Sequence, residues 1–251
     1  MGTSQSHSLK TTPQWASAKR AMTGIIHDIE NPNRFSSFMG SFLDAIEGEG
    51  LYRGASETRY QRRLISHKHA FGTAGGGVAI DFLDFISEVK DNGLSTAISL
   101  FQSEGDEAPS TPRDLINQLC SFSAKETDAN LDADAATVAQ RKLLAEIFKQ
   151  CDTLADVETI LKEADEDSID AWIIFFEVEY IIEYQGSLFQ SHIFDKTEDP
   201  ESVLGQRRRW LHAQLDTLLS EEMHHLNLFS KEGKSYIDKL TSRILDIWKH
   251  Q

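Results

Sequence analysis

Apolar residues recur at three- and four-residue steps along most of this chain, and this spacing predicts amphipathic helices. The first clear case starts near residue 34 and ends in the turn Gly48-Glu49-Gly50, with its apolar positions at Phe35, Phe38, Phe42, Leu43 and Ile46. A second run starts at Val78 and continues to Leu100, with a break at Asn92-Gly93.

Helix-start signals precede several later apolar stripes. Thr111-Pro112 and Asp199-Pro200 each place a proline at the first helical position, and Thr153 is a capping residue. The remaining stripes predict helices over 135–151, from Ser168 onward and over about 236–249. Because no alternating period-two run with a hairpin turn occurs, the pattern predicts an all-α protein with a multi-helix, bundle-like domain.

The N-terminal third has a different composition. Residues 1–33 are rich in Ser, Thr, Gln and Pro, which predicts a flexible, mostly irregular leader with a short helical stretch between Trp15 and Ile29. Residues 34–77 hold the amphipathic helix, a basic segment and a glycine-rich stretch, and residues 78–251 form the helical domain. The basic segment spans 53–69 and contains five cations that are candidate contacts for phosphate or for a partner: Arg53, Arg59, Arg62, Arg63 and Lys68.

The basic segment leads into Gly72-Thr73-Ala74-Gly75-Gly76-Gly77. Three consecutive glycines are unfavourable inside a helix or strand, so we expect a hinge or a close-approach loop at Gly72, Gly75, Gly76 and Gly77. A P-loop is disfavoured because no strand precedes the glycines and no Lys-Ser/Thr pair follows them.

Charge and cysteine content limit the function classes. The 251 residues include 25 basic and 40 acidic side chains, a net charge of −15, which argues against non-specific binding to nucleic acid or anionic membranes and favours a basic protein partner. Cys120 and Cys151 lack metal-binding spacing and suggest a reducing compartment. With no secretory signal and no long apolar run, we expect a cytoplasmic protein.

No catalytic constellation stands out. His224 and His225 are adjacent, so they point about 100° apart on a helix and cannot bind one metal ion from the same face. Glu179 and Glu183 are one turn apart, but without a histidine partner a polar stripe on a buried helix is the favoured interpretation. No nucleophile elbow is present. We therefore expect neither an enzyme nor a bound cofactor.

The chain opens with Met1-Gly2-Thr3-Ser4-Gln5-Ser6, a polar stretch with no apolar residue until Leu9. Removal of Met1 would expose a glycine α-amine. The stretch matches the short myristoylation pattern, but a single acyl chain binds membranes only marginally without a polybasic partner. Gly2, Thr3 and Ser4 are therefore candidate modification or recognition residues for another protein.

Taken together, these features resemble the QatB proteins of the bacterial Qat anti-phage defence systems. The residues that carry the resemblance are Met1-Gly2-Thr3-Ser4, Pro13, Trp15, the basic stretch into Gly72–Gly77, Phe82–Leu100 with its Asn92-Gly93-Leu94 break, Phe175–Phe194 and Arg207–Trp210. The chain differs from the family in having fewer glycines and prolines in its leader and in Phe71.

The resemblance implies a non-enzymatic component that acts beside a P-loop ATPase, a QueC-like deazaguanine enzyme and a TatD-like nuclease. It also suggests that the QueC-like enzyme conjugates a deazaguanine-type base to Gly2. Two other functions remain open from the residues: a helical nucleic-acid or nucleotide sensor that uses the basic 53–69 segment, and an acidic immunity or antitoxin-like inhibitor.

Overall fold

Eleven helices and no strand make up the described residues of the chain, which are 12–48, 71–102, 107–126 and 130–249 of a computed structural model. The all-α prediction is confirmed for these residues. In chain order the helices are α1 (Pro13–His27), α2 (Pro32–Gly48), α3 (Thr73–Asn92), α4 (Leu94–Leu100), α5 (Pro112–Glu126), α6 (Leu131–Ile147), α7 (Leu154–Glu163), α8 (Glu166–Lys196), α9 (Pro200–Met223), α10 (Lys231–Ile237) and α11 (Leu240–Lys249).

The longest helix, α8, is the centre of the fold. It has 31 residues, and its apolar side chains do not lie on one stripe but surround most of the helix. A helix that is apolar on most sides must be covered on most sides. Helices α1, α3, α6 and α9 all pack against α8. None of the helices in the described ranges combines the length and the apolar character that a membrane span requires.

Capping signals correctly predicted several helix starts. Helices α5 and α9 begin at Pro112 and Pro200. Helix α7 follows Thr153, whose side chain accepts a hydrogen bond from the Asp156 N–H while the Asp156 carboxylate accepts one from the Thr153 N–H.

Some boundaries differ from the prediction. Helix α6 starts four residues early, at Leu131, because the Asn130 side chain caps it by accepting from the Ala133 N–H at 3.0 Å. The predicted helix over 236–249 is two helices, α10 and α11, separated by Asp238 and Lys239.

The prediction of a flexible leader over residues 1–33 is wrong for α1, although the short helical stretch within it is confirmed. Trp15, Ala18, Met22 and Ile25 of α1 are all at most 1% exposed. Their spacing of three and four residues places them on one helix face, and this face packs against α2 and α8. Burial of these side chains therefore outweighs the polar composition of the segment, and the core includes α1.

Candidate functional site

A buried cluster of polar groups surrounds the start of α3, where the sequence predicted a loop. Gly72 precedes the helix with φ +100° and has no side chain that could cap it. Asp132 of α6 takes that role from another helix. Its Oδ1 accepts from the Gly72 N–H at 3.1 Å, and its Oδ2 accepts from the Ala74 N–H at 2.7 Å. The carboxylate thus satisfies N–H groups that a helix start leaves unpaired, and its charge is favourable there.

Tyr180 of α8 completes this cap. Its hydroxyl donates to Asp132 Oδ1 and accepts from the Gly72 N–H at 2.9 Å. The tyrosine is fully buried, and its ring lies 5.2 Å from the Phe71 ring and 5.9 Å from the Phe176 ring. Three segments that are distant in sequence therefore meet through one carboxylate and one phenol.

The prediction of a loop at Gly75, Gly76 and Gly77 is wrong, because all three lie in α3. The first two glycines allow a close approach. A Cβ atom at Gly75 would lie 2.7 Å from Tyr180 Cζ, and one at Gly76 would lie 3.0 Å from Asp238 Cα. At Gly77, which is exposed, a Cβ would meet nothing within 4 Å. Packing against α8 and Asp238 explains two of the three glycines, and whether the segment moves as a hinge stays a prediction.

A second carboxyl group lies beside this cap. Glu177 of α8 is fully buried; its Oε2 accepts from Thr241 Oγ1 of α11 at 3.0 Å, and its Oε1 has no hydrogen-bond partner among the described residues. Burial raises the pKa of Glu177 to about 8, the Thr241 hydrogen bond opposes the increase, and the nearby Asp132 adds to it. Glu177 is therefore largely neutral at pH 7.

Asp132 differs from Glu177 in its donors. Burial raises the pKa of Asp132, but hydrogen bonds from Tyr180, Ala74 and Gly72 oppose this increase. Burial, together with the charge of Asp132, raises the pKa of Tyr180. Unlike Asp132, Glu177 accepts no hydrogen bond from a backbone N–H of the described residues that would stabilise its charged form.

The cluster is a structural centre and not a place for substrate. Asp132, Glu177 and Tyr180 are at most 3% exposed, so no external molecule reaches their oxygen atoms. What they do is hold α3, α6, α8 and α11 together around one helix start.

Replacing Glu177 by glutamine should remove a pH dependence of stability. Between the unperturbed value of 4.5 and the folded value of about 8, the folded state holds a proton that the unfolded state has lost. The stability of the wild-type protein should therefore fall as pH rises through this window, by up to about 1.4 kcal/mol per pH unit. Urea unfolding from about pH 5 to pH 8 should show this decrease for the wild type relative to Glu177→Gln. Parallel curves for the two proteins would contradict the assignment.

Glu179 and Glu183 form the polar stripe that the sequence suggested. Lys142 of α6 donates to Glu179 at 2.7 Å and to Glu183 at 2.5 Å, and Arg208 of α9 also pairs with Glu179. The Glu179 side chain is only 3% exposed. Through these ion pairs with two cations, the carboxylates join α6, α8 and α9.

Arg207 is an unexpected residue in the core. It lies at 1% exposure on the buried stripe of α9, between Val203 and Leu211. Its Nη2 donates to the Gln185 side chain and its guanidinium lies 5.2 Å from the centre of the Phe38 ring. No carboxylate pairs with it among the described residues, and burial lowers its pKa to about 10. Sequence periodicity would have required an apolar residue here.

Thr23 and His192 resemble a nucleophile and its base. Thr23 Oγ1 lies 2.9 Å from His192 Nε2, but the same Nε2 lies 3.1 Å from the Lys19 carbonyl oxygen. A carbonyl oxygen only accepts, so the contact with Lys19 is a hydrogen bond when Nε2 carries a proton. The Thr23 hydroxyl in turn donates to the Lys19 carbonyl at 3.0 Å. His192 thus contacts the side chain of Thr23 and the backbone of Lys19, and these contacts attach α1 to α8.

The surface position predicted for the histidine pair is confirmed. His224 and His225 are exposed, and His224 lies 3.4 Å from Asp167. Across the described ranges no group of three or more His, Cys, Asp or Glu side chains is arranged to hold a metal ion. Cys120 and Cys151 are free, and burial raises the pKa of Cys120 to about 11, which disfavours a reactive thiolate.

Eight predicted site residues lie outside the described residues. They are Gly2, Thr3, Ser4, Arg53, Arg59, Arg62, Arg63 and Lys68. The structure brings the others, Gly72, Gly75 and Gly76, against Asp132, Tyr180 and Asp238, and leaves Gly77 at the surface. Comparison with known proteins identifies no relative: no protein-family model, no curated protein and no solved structure matches this chain.

Proposed function

We propose that this protein is a non-enzymatic component of an anti-phage defence complex, and that its N-terminal glycine is the substrate of a partner enzyme. The partner is a QueC-like enzyme that conjugates a deazaguanine-type base to Gly2, while the helical body binds a P-loop ATPase. The proposal rests on the resemblance of Met1-Gly2-Thr3-Ser4 and of the later segments to QatB proteins.

The anchorage of α1 is the structural observation that supports this proposal. Thr12 caps the helix by accepting from the Trp15 N–H at 3.4 Å, and Pro13 occupies its first position. Trp15 is 1% exposed and packs its ring 5.9 Å from the Phe189 ring of α8. Helix α1, which follows Met1–Thr11 in the sequence, is thus fixed to the core.

The chemistry that the proposal requires is simple. An α-amine has a pKa of about 7.7–8.0, so a substantial neutral fraction exists at physiological pH. This amine attacks the carboxyl carbon of a deazaguanine-type base that the partner enzyme has adenylated with ATP, a step that releases pyrophosphate. A C–N bond forms, and the bond between the carboxyl carbon and the AMP oxygen breaks. AMP leaves, and the proton of the amine passes to a general base. Glycine presents no side chain to hinder this attack.

Gly2→Pro should abolish phage protection by the complete operon, because proline converts the primary amine into a hindered secondary amine. Ser6→Ala is the matched control, since it removes the acylation pattern but leaves Gly2, Thr3 and Ser4 intact. Plating with phage should show loss of protection for Gly2→Pro and full protection for Ser6→Ala. Both variants should still co-purify with the ATPase, because the helical body is unchanged. Normal protection by a stably expressed Gly2→Pro variant would contradict the proposal.

A further inference from the structure

An open groove with aromatic walls lies on the outside of the body, between α6, α8 and α9. Its volume is about 390 Å³, within the size range of ligand sites. The residues that line it are Leu143, Glu146, Ile147, Ala171, Trp172, Phe175 and His212. None of these residues belongs to the buried cluster or to the N-terminal segment.

Trp172 and Phe175 form the aromatic walls. They are three residues apart on α8 and therefore share one face of the helix. Both are only partly buried, whereas their neighbours Ile173, Ile174 and Phe176 are buried. The Trp172 ring is supported from the core side by Phe82, 6.2 Å away at an angle of 57°. The groove thus presents two aromatic side chains with part of their surface open to solvent.

The polar side of the groove carries a carboxylate. Glu146 of α6 pairs with Lys149 at 3.5 Å, and both side chains are more than half exposed, at 58% and 68%. Such an exposed pair contributes little, so another cation can replace Lys149. The neighbouring cations Lys142 and Arg208 are occupied by Glu179 and Glu183 and do not compensate the charge of Glu146.

Two features decide which ligand suits this groove. The net charge of −15 repels phosphate-bearing ligands and attracts cations. Among cations, a guanidinium group is planar: it stacks on aromatic rings and donates in a fork that matches a carboxylate, whereas an ammonium group does neither as well. We propose that the groove binds an arginine side chain from a basic segment of a partner protein. This proposal concerns the helical body and does not depend on the modification of Gly2.

Calorimetric titration of the full chain with acetylated, amidated tri-arginine and tri-lysine peptides tests the proposal, in about 0.15 M salt to screen non-specific attraction. The tri-arginine peptide should bind about fivefold more tightly than the tri-lysine peptide. Glu146→Gln and Trp172→Leu should each weaken tri-arginine binding by about fivefold and remove the preference for arginine. Glu30→Gln, which makes the same charge change at an exposed position between α1 and α2, is the control and should leave binding unchanged.

Three results would overturn the proposal. Equal affinity for the two peptides would exclude stacking of a guanidinium group. An equal loss of tri-arginine affinity for Glu146→Gln and Glu30→Gln would show that binding depends only on the net charge of the protein. Binding of guanosine monophosphate in the groove, without binding of tri-arginine, would identify a nucleotide site instead. Glu146 is exposed, so Glu146→Gln should not disturb folding. The test therefore remains valid even if Trp172→Leu lowers the stability of the protein.

Discussion

Replacing Gly75 by alanine should destabilise the protein by about 3 kcal/mol, although alanine is a better helix former than glycine. The added Cβ would lie 2.7 Å from Tyr180 Cζ and 2.8 Å from Tyr180 Cδ1. Movement of Tyr180 away from this Cβ would break the hydrogen bonds that its hydroxyl makes with Asp132 and with the Gly72 N–H. The clash must therefore separate α3 from α8 or break the buried cap.

Gly77→Ala is the matched control for this experiment. Gly77 is in the same helix, two residues further on, but it is exposed and a Cβ there meets nothing within 4 Å. This variant should be more stable than the wild type by about 0.5–1 kcal/mol, because alanine loses less backbone entropy on folding. Urea unfolding of both variants should thus give shifts of opposite sign. Stabilisation by both substitutions would mean that α3 and α8 are not in close contact.

The second large effect is expected at Asp132. Asp132→Ala leaves the N–H of Ala74 and the hydroxyl of Tyr180 without their acceptor, and weakens the pairing of the Gly72 N–H. At about 1–3 kcal/mol for each unpaired buried group, the variant should lose roughly 3 kcal/mol of stability, after the gain from removing a buried charge.

Asp134→Ala provides the comparison, because Asp134 belongs to the same first turn of α6 but is exposed. Its substitution should change stability by no more than about 0.5 kcal/mol, the weak effect of one acidic residue at an exposed helix start. Equal losses for the two variants would indicate that Asp132 acts only through the start of α6. In that case the carboxylate would not cap α3.

The sequence predicted helices wherever an apolar stripe followed a local start signal. Proline at 112 and 200 and threonine at 153 mark starts that depend only on neighbouring residues, and the structure has all three. For α1 the signal was also present, in the spacing of Trp15, Ala18, Met22 and Ile25. The polar composition nevertheless predicted a flexible leader around this helical stretch, because composition does not show which face a helix buries.

The polar cluster could not be predicted, because it depends on contacts between distant parts of the chain. Gly72 and Asp132 are 60 residues apart, and Tyr180 is a further 48 residues away. In the sequence, Asp132 is an ordinary acidic residue that lies before the helix predicted over 135–151. The prediction of a loop at the three glycines was wrong for the same reason. Glycine has a free-energy cost in an isolated helix, and here close packing against other parts of the chain offsets it, which helix propensity does not describe. For the buried Arg207 the sequence contains one indication, because it is a charged residue on the apolar stripe of α9.

The central claim, that Gly2 is a substrate, is tested most directly by the intact mass of this protein purified from cells that carry the active operon. The account predicts a protein that has lost Met1 and gained the mass of one deazaguanine-type base, with fragmentation that places the adduct on Gly2. A protein from a protecting strain whose N-terminus is unmodified, or carries a myristoyl group instead, would contradict it.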